Sequence, residues 1–196
     1  MKLSIRWLVA SIGIFCLASP ATGQRITRHS GFWISGGGDL GYAAVDCRVC
    51  NSDAVVGPAA ALQVGGSPSR SALLGMEFSY WRSVADTTAQ EYVLVMAVVR
   101  YYPSQNIPLF LSGGFGVGRY GEERVSPTGP SWALSANGFT LQFSGGYELK
   151  LSERVSFCPM VRFLAVRGHN AKVNQIGESR DMEGNWLRLG AHFTWR

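Results

Sequence analysis

Two short motifs carry residues whose types and spacing could do chemistry. Cys47-Arg-Val-Cys50 is a C-x-x-C, which suits a redox pair, half of a zinc site, or a small disulfide in a loop. A structural zinc needs four ligands, and neither a second pair nor a nearby run of histidines exists. A thioredoxin-like site would sit in a βαβ pattern, which is also missing. The expectation is a disulfide between Cys47 and Cys50, and no metal. Gly116-Val-Gly118-Arg-Tyr-Gly121 satisfies G-x-G-x-x-G. The dinucleotide fingerprint needs a helix to open at the third glycine, so that its N-terminus meets the pyrophosphate. Here Glu122-Glu-Arg124 runs into Ser126-Pro-Thr-Gly-Pro130, a loop, and no cofactor is expected.

Nucleophilic hydrolysis needs a hydroxyl within reach of a histidine that a carboxylate orients. The chain has 3 histidines: His29 beside Ser30, His169 in a polar stretch, and His192 two residues before Thr194. None is placed by spacing in a catalytic arrangement. The expectation is a protein that is not an enzyme.

The elements that hold these residues begin with a leader. Lys2 and Arg6 form a basic n-region, Trp7–Leu17 an apolar run of eleven residues, and Ala21-Thr-Gly23 the small residues a signal peptidase reads. Eleven apolar residues are too few to cross a hydrocarbon core of ~30 Å as a helix. Cleavage is expected before Gln24, leaving 24–196 as one domain. The formal charge of +5 then loses two of its cations, and charges without runs leave no nucleic-acid footprint. Charged residues make up 16% of the chain and aromatics 12%, which suits neither a disordered chain nor an ordinary water-soluble domain, typically about 25% charged.

The mature sequence alternates. From Phe139 to Leu151, residues Phe139, Leu141, Phe143, Tyr147, Leu149 and Leu151 fall on one parity, and Thr140, Gln142, Ser144, Gly146, Glu148 and Lys150 on the other. Leu187, Leu189, Ala191, Phe193 and Trp195 repeat the pattern against Arg188, Gly190, His192, Thr194 and Arg196. Period two predicts strands. Eight are expected, near Gly31–Val45, Val55–Gly66, Ser71–Arg82, Glu91–Tyr102, Ile107–Tyr120, Trp132–Leu151, Val155–Gly168 and Asn185–Trp195. Short turns at 67–70, 103–106 and 152–154 alternate with longer loops at 46–54, 83–90, 121–131 and 169–184. The expected fold is all-β: an eight-stranded antiparallel up-and-down transmembrane β-barrel.

A lipocalin-like soluble barrel would show the same alternation with its apolar face inward. One face here is bulky, with Phe32, Leu40, Phe78, Phe115, Phe143 and Phe163. The other is mostly small, with Ser35, Gly37, Gly41, Gly114, Gly116, Gly118 and Gly190. Eight strands enclose a space just wide enough for side chains to fill, so small residues suit the lumen and aromatics suit lipid. The polar parity also carries Asp39, Glu77, Arg100, Glu148, Lys150, Arg162, Arg188 and His192, with Gln63. Buried charges must pair; Arg162 and Arg188 are expected near Asp39, with Glu77 reaching across. Such a network either plugs the barrel or carries protons or ions. Cys158 is expected as a lone lumen thiol. Trp33, Tyr80, Trp81, Tyr101, Tyr102, Trp132, Trp186 and Trp195, near strand ends, suggest interfacial girdles.

Two stretches resemble the small eight-stranded outer-membrane proteins, the OmpA-type and OmpX-like barrels. Arg188-Leu-Gly-Ala-His-Phe-Thr-Trp195 is similar to the assembly signal of that class, carried here by Arg188, Gly190, Phe193 and Trp195, although Arg196 follows where such chains usually end on the aromatic. Gly113–Tyr120 looks like their glycine-rich fifth strand. The resemblance implies a monomer in the outer membrane of a Gram-negative-type bacterium. Its partners would be membrane lipid and lipopolysaccharide, the barrel assembly machinery, and an extracellular partner at the four loops. A structural or surface-interaction role without an open pore is implied. The alternatives are a periplasmic barrel binding an apolar ligand and an enzyme that modifies lipid A; the His-x-Ser element of the lipid A deacylases is absent.

Overall fold

The computed structural model describes residues 31–46, 54–85, 87–104, 106–124, 132–173, 176–177 and 182–196. The leader at 1–23, the cleavage point and the Cys47–Cys50 pair lie outside the described residues. The ten strands are β1 (Gly31–Asp46), β2 (Val55–Ser69), β3 (Ala72–Ala85), β4 (Thr88–Tyr101), β5 (Leu109–Arg124), β6 (Trp132–Tyr147), β7 (Leu149–Lys150), β8 (Val155–Val173), β9 (Ile176–Gly177) and β10 (Met182–Trp195). Each long strand pairs antiparallel with its neighbours, and β10 pairs with β1 from Ile34↔Trp195 to Asp46↔Glu183, so the sheet closes. The two-residue β7 prolongs the wall of β6 beyond Glu148, and β9 folds back on β8. The result is an all-β, closed, eight-stranded antiparallel barrel.

The alternation is the cause of the two faces. Phe139, Leu141, Phe143, Tyr147, Leu149 and Leu151 are all exposed, while Thr140, Gln142 and Glu148 are buried. The same holds round the wall: Phe32, Leu40, Phe78, Val117, Phe163 and Leu187 stand outside, half or more exposed in several cases (Phe32 69%, Val117 66%). An apolar surface continuous over eight strands belongs against lipid rather than water. The lipocalin-like orientation is thereby reversed.

The three short turns lie at one end and share one device. A serine hydroxyl accepts from a backbone N–H two or three residues on, at Ser69 (from Ser71), Ser104 (from Asn106) and Ser152 (from Arg154 and Val155), the ST-turn that makes serine a turn residue. At the other end the expected loop 83–90 is corrected. Strands β3 and β4 continue as a tight hairpin through Arg82↔Glu91, Ser83↔Gln90, Val84↔Ala89 and Ala85↔Thr88. Polarity in this stretch belongs to the wall itself: Ser83 and Gln90 are buried inward and Val84 points out, so the two-residue period persists through residues that read as loop by composition.

Candidate functional site

The barrel interior is filled in three layers. At the turn end Trp33, Leu73, Tyr102, Phe110, Cys158 and Met160 form a buried cluster. At the loop end a larger one contains Trp81, Tyr92, Leu94, Met96, Tyr120, Leu134, Leu164 and Trp186. Trp186 stacks on Tyr92 at 4.9 Å between centroids and meets the edge of Trp81 at 6.1 Å. These side chains correct two expectations. Trp33, Trp81, Tyr102 and Trp186 are not girdle residues, for each is at most 2% exposed and faces inward. Nor is the lumen filled mainly by small residues. The glycines instead make room for large partners. A Cβ at Gly41 would meet Trp81 Cδ1 at 2.9 Å, and one at Gly118 would overlap the Tyr92 hydroxyl. Tyr80, Tyr101 and Trp195 face outward; the side chain of Trp132 lies outside the described residues.

Between the clusters lies the polar layer. Arg162 Nη1 donates to Glu77 Oε1 at 2.8 Å, its Nη2 approaches the His192 ring, and its Nε stands 3.8 Å from Asp39 Oδ2. His192 Nε2 lies 3.6 Å from Asp39 Oδ1. Asp39, Glu77, Arg162 and His192 are thus brought together by β1, β3, β8 and β10. Gly190, paired with Asp39, leaves the space that the carboxylate occupies, since a Cβ there would collide with Asp39 Oδ1. Arg188 lies directly across from Arg162 in the β8–β10 register and donates through Nη1 to Ser79 Oγ at 2.6 Å. Gln63 bridges downward, donating to Glu77 and accepting from Arg100 Nη2 at 2.9 Å. Arg100 rests over the Phe110 ring at 4.3 Å, a cation–π contact.

Two sequence expectations separate from this layer. Glu148 belongs to a second network at the turn end, where Arg196 Nη1 and Nη2 meet its two oxygens at 2.6 and 2.7 Å and Tyr102 donates to it. Lys150 is half-buried and makes no side-chain hydrogen bond or ion pair among the described residues; it lies at the end of the wall, where β7 stops. Sequence reasoning missed Arg196 as a member of the interior, although it shares the parity of His192 and Thr194. It also missed Ser79 and the Tyr92–Thr140 hydrogen bond.

Chemically this arrangement favours neutralisation. The buried hydroxyls of Ser35 and Thr194 bond to each other at 2.9 Å, with the free thiol of Cys158 3.6 Å from Thr194 Oγ1. Among the described residues no hydroxyl or thiol is hydrogen-bonded to a histidine. The polar layer is sealed toward the loop end by the Trp81–Tyr92–Trp186 cluster.

No family model and no curated protein matches the chain. Its fold does match solved structures. This is the fold of the small eight-stranded outer-membrane β-barrels. Neisserial surface protein A superposes with a TM-score of 0.54 at 14% identity over 85% of this chain and 97% of that one. Ail of Yersinia pestis gives a TM-score of 0.56 at 13% identity over 85% and 99%; it has also been solved in complex with the heparin analogue sucrose octasulfate. The outer membrane protein OprG of Pseudomonas aeruginosa gives 0.52 at 11% identity over 86% and 98%.

Proposed function

We propose that the protein is an outer-membrane barrel with a structural or surface-interaction role, exported by the leader at 1–23 and acting without a pore and without catalysis. One observation carries this reading. The wall is apolar outside, while the interior is filled by two aromatic clusters and, between them, a layer in which Arg162 meets both Glu77 and Asp39. A lumen packed in this way holds the wall rigid and leaves the loop end as the part free to meet a partner. The segments available for that lie within the expected loops 46–54, 121–131 and 169–184, beyond the ends of β5 at Arg124 and β8 at Val173 and before β10 at Met182; the hairpin at 83–90 is too tight to add a long loop. That a barrel of this fold, Ail, takes a sulfated ligand supports surface contact as the use of such a scaffold. Membrane lipid, lipopolysaccharide and the assembly machinery are the expected partners in the bilayer, the last reading the Arg188, Gly190, Phe193 and Trp195 signal.

The test joins fractionation to electrophysiology. The chain should sediment with outer membranes, change gel mobility between unboiled and boiled samples, and give no steady conductance in planar bilayers. Stable single-channel steps from the unaltered protein would overturn the sealed-lumen reading, and recovery in the soluble periplasm would overturn the location.

A further inference from the structure

We propose that the polar layer of the lumen binds a single monatomic anion, chloride, against the free edge of the Arg188 guanidinium. The charges inside the barrel do not balance without it. Among the described residues Arg100, Arg162, Arg188 and Arg196 point inward, and they face Asp39, Glu77 and Glu148. Glu122 stands apart at the loop end, where it accepts from the Tyr120 hydroxyl. His192 contributes no charge. Arg162 Nη2 lies 2.5 Å from its Nε2, and a guanidinium only donates, so that ring nitrogen accepts and the imidazole is neutral. One guanidinium is left without a carboxylate.

The geometry places the excess on Arg188. Glu148 is held by Arg196, and Glu77 and Asp39 lie against Arg162. The nitrogens of Arg162 are all engaged, with Glu77, the His192 ring and the Met160 sulfur. Arg100 has its bond to Gln63 and the Phe110 ring beneath it. Arg188 is fully buried, forms no ion pair among the described residues, and uses Nη1 alone, on Ser79. Its Nε and Nη2 have no partner. These two nitrogens share one edge of the guanidinium and present their N–H bonds side by side, the fork that takes an anion through two parallel hydrogen bonds.

The surroundings reinforce the demand for negative charge. Arg188 is the cross-strand partner of Arg162, and like charges so placed repel. On the loop side of Arg188 stand two indoles. A Cβ at Gly41 would meet both Arg188 Cγ at 3.3 Å and Trp81 Nε1 at 3.0 Å, so the arginine stem and the Trp81 ring converge there. Trp186 packs edge-on to Trp81, is fully buried, and leaves its Nε1–H, a donor only, without an acceptor. Water would satisfy such donors but leave the charge uncompensated at a depth where that is costly; an anion meets both needs. Eight strands enclose a space just wide enough for side chains to fill, which limits the occupant to a small sphere and excludes phosphate or a carboxylic acid.

The test uses the full mature chain folded in neutral detergent, with sodium chloride exchanged stepwise for sodium gluconate at fixed ionic strength, since gluconate is too large for the lumen. Once the site is filled, the folding equilibrium constant from urea unfolding should rise about tenfold for each tenfold rise in chloride, as binding of one ion per folded chain requires. Bromide should replace chloride, and crystals grown in bromide should show an anomalous peak in the fork of Arg188 Nε and Nη2. Arg188→Gln should lose the halide dependence. Ser79→Asp, which sets a carboxylate beside the same guanidinium, should lose it as well and carries the test if Arg188→Gln does not fold; Arg154→Gln, in an exposed turn, should keep it. Gel mobility before and after boiling shows which variants are folded. Equal stability of the unaltered protein in chloride and gluconate would overturn the proposal. So would a halide dependence that persists in the folded Arg188 and Ser79 variants, or density in the fork without an anomalous signal, which would make the occupant water.

Discussion

Replacing Arg162 with Met should be the most damaging single change in the interior. Its guanidinium is fully buried and is the one cation in contact with both Glu77 and Asp39. Its removal leaves two carboxylates facing each other across the lumen, with Arg188 bonded to Ser79 on the other side. Breaking a buried pair from one side costs about 3–5 kcal/mol. For a chain of this size, roughly 2–4 °C per kcal/mol makes that a fall of about 6–20 °C in midpoint. The measurement is urea unfolding in lipid vesicles, followed by tryptophan fluorescence, with unboiled gel mobility against temperature as a second reading. Glu77→Gln removes the matching charge, so Arg162→Met/Glu77→Gln should be less destabilised than the two single changes summed, with a coupling of about 1–3 kcal/mol. Arg154→Met, in an exposed turn, should stay within about 0.5 kcal/mol of the parent. A loss for Arg162→Met as small as that control, or a cycle that sums without coupling, would refute the claim that the Arg162–Glu77 pair holds this layer.

Arg188→Met should destabilise less than Arg162→Met, because Arg188 makes one hydrogen bond, to Ser79, and its Nε and Nη2 have none; the same unfolding series ranks the two. Arg196→Gln should cost about 1.5–3 kcal/mol, the range for hydrogen bonds to a charged group, and Glu148→Gln added to it should cost little more, since the two form one pair. Brominated lipid should quench Trp195, which is 45% exposed, but not Trp33, Trp81 or Trp186; Trp195→Phe should remove that quenching, while Trp81→Phe/Trp186→Phe should leave it unchanged. Mass spectrometry of the exported chain should find Gln24 as its first residue, and a mature protein that retains Lys2 would refute the leader.

The barrel was legible because alternation is a local property. Phe139–Leu151 shows both faces within one strand, and the eight-strand plan follows from repeating that reading. What the sequence hid depends on register. The place of Trp81 near a strand end suggests an interfacial ring, whereas its parity with Glu77 and Ser79 points it inward. Only the pairing that sets Gly41 against it shows how a ring that size fits the lumen. The hairpin at Ala85–Thr88 was hidden because polar residues on an inward face look like loop by composition. In the charged layer, parity identified Asp39, Glu77, Arg162, Arg188 and His192 as inward, but not that Arg162 and Arg188 would be cross-strand neighbours. Parity alone groups Lys150 with them, although it lies where the wall ends.

The distribution of charge between the faces also explains why the interior carboxylates converge on one arginine. Outward charges begin at Arg82 on β3, Glu91 on β4, Arg119 on β5 and Arg167 on β8, the last in register with Phe139, and below those points the same strands are apolar outside, as in the rows from Val93 to Tyr101 on β4 and from Val117 to Leu111 on β5. Glu77 and Arg162 sit at the level of those rows, on the opposite side of the same wall. Water is shut out there by lipid on the outside and by aromatic clusters above and below. At that depth an uncompensated charge costs several kcal/mol, so the two carboxylates gather around Arg162, while Arg188 and Arg100 are held by hydrogen bonds to Ser79 and Gln63. Above the band the constraint lapses on both faces. Arg82, Arg119 and Lys172 show no bonded partner among the described residues and stand where solvent can meet them.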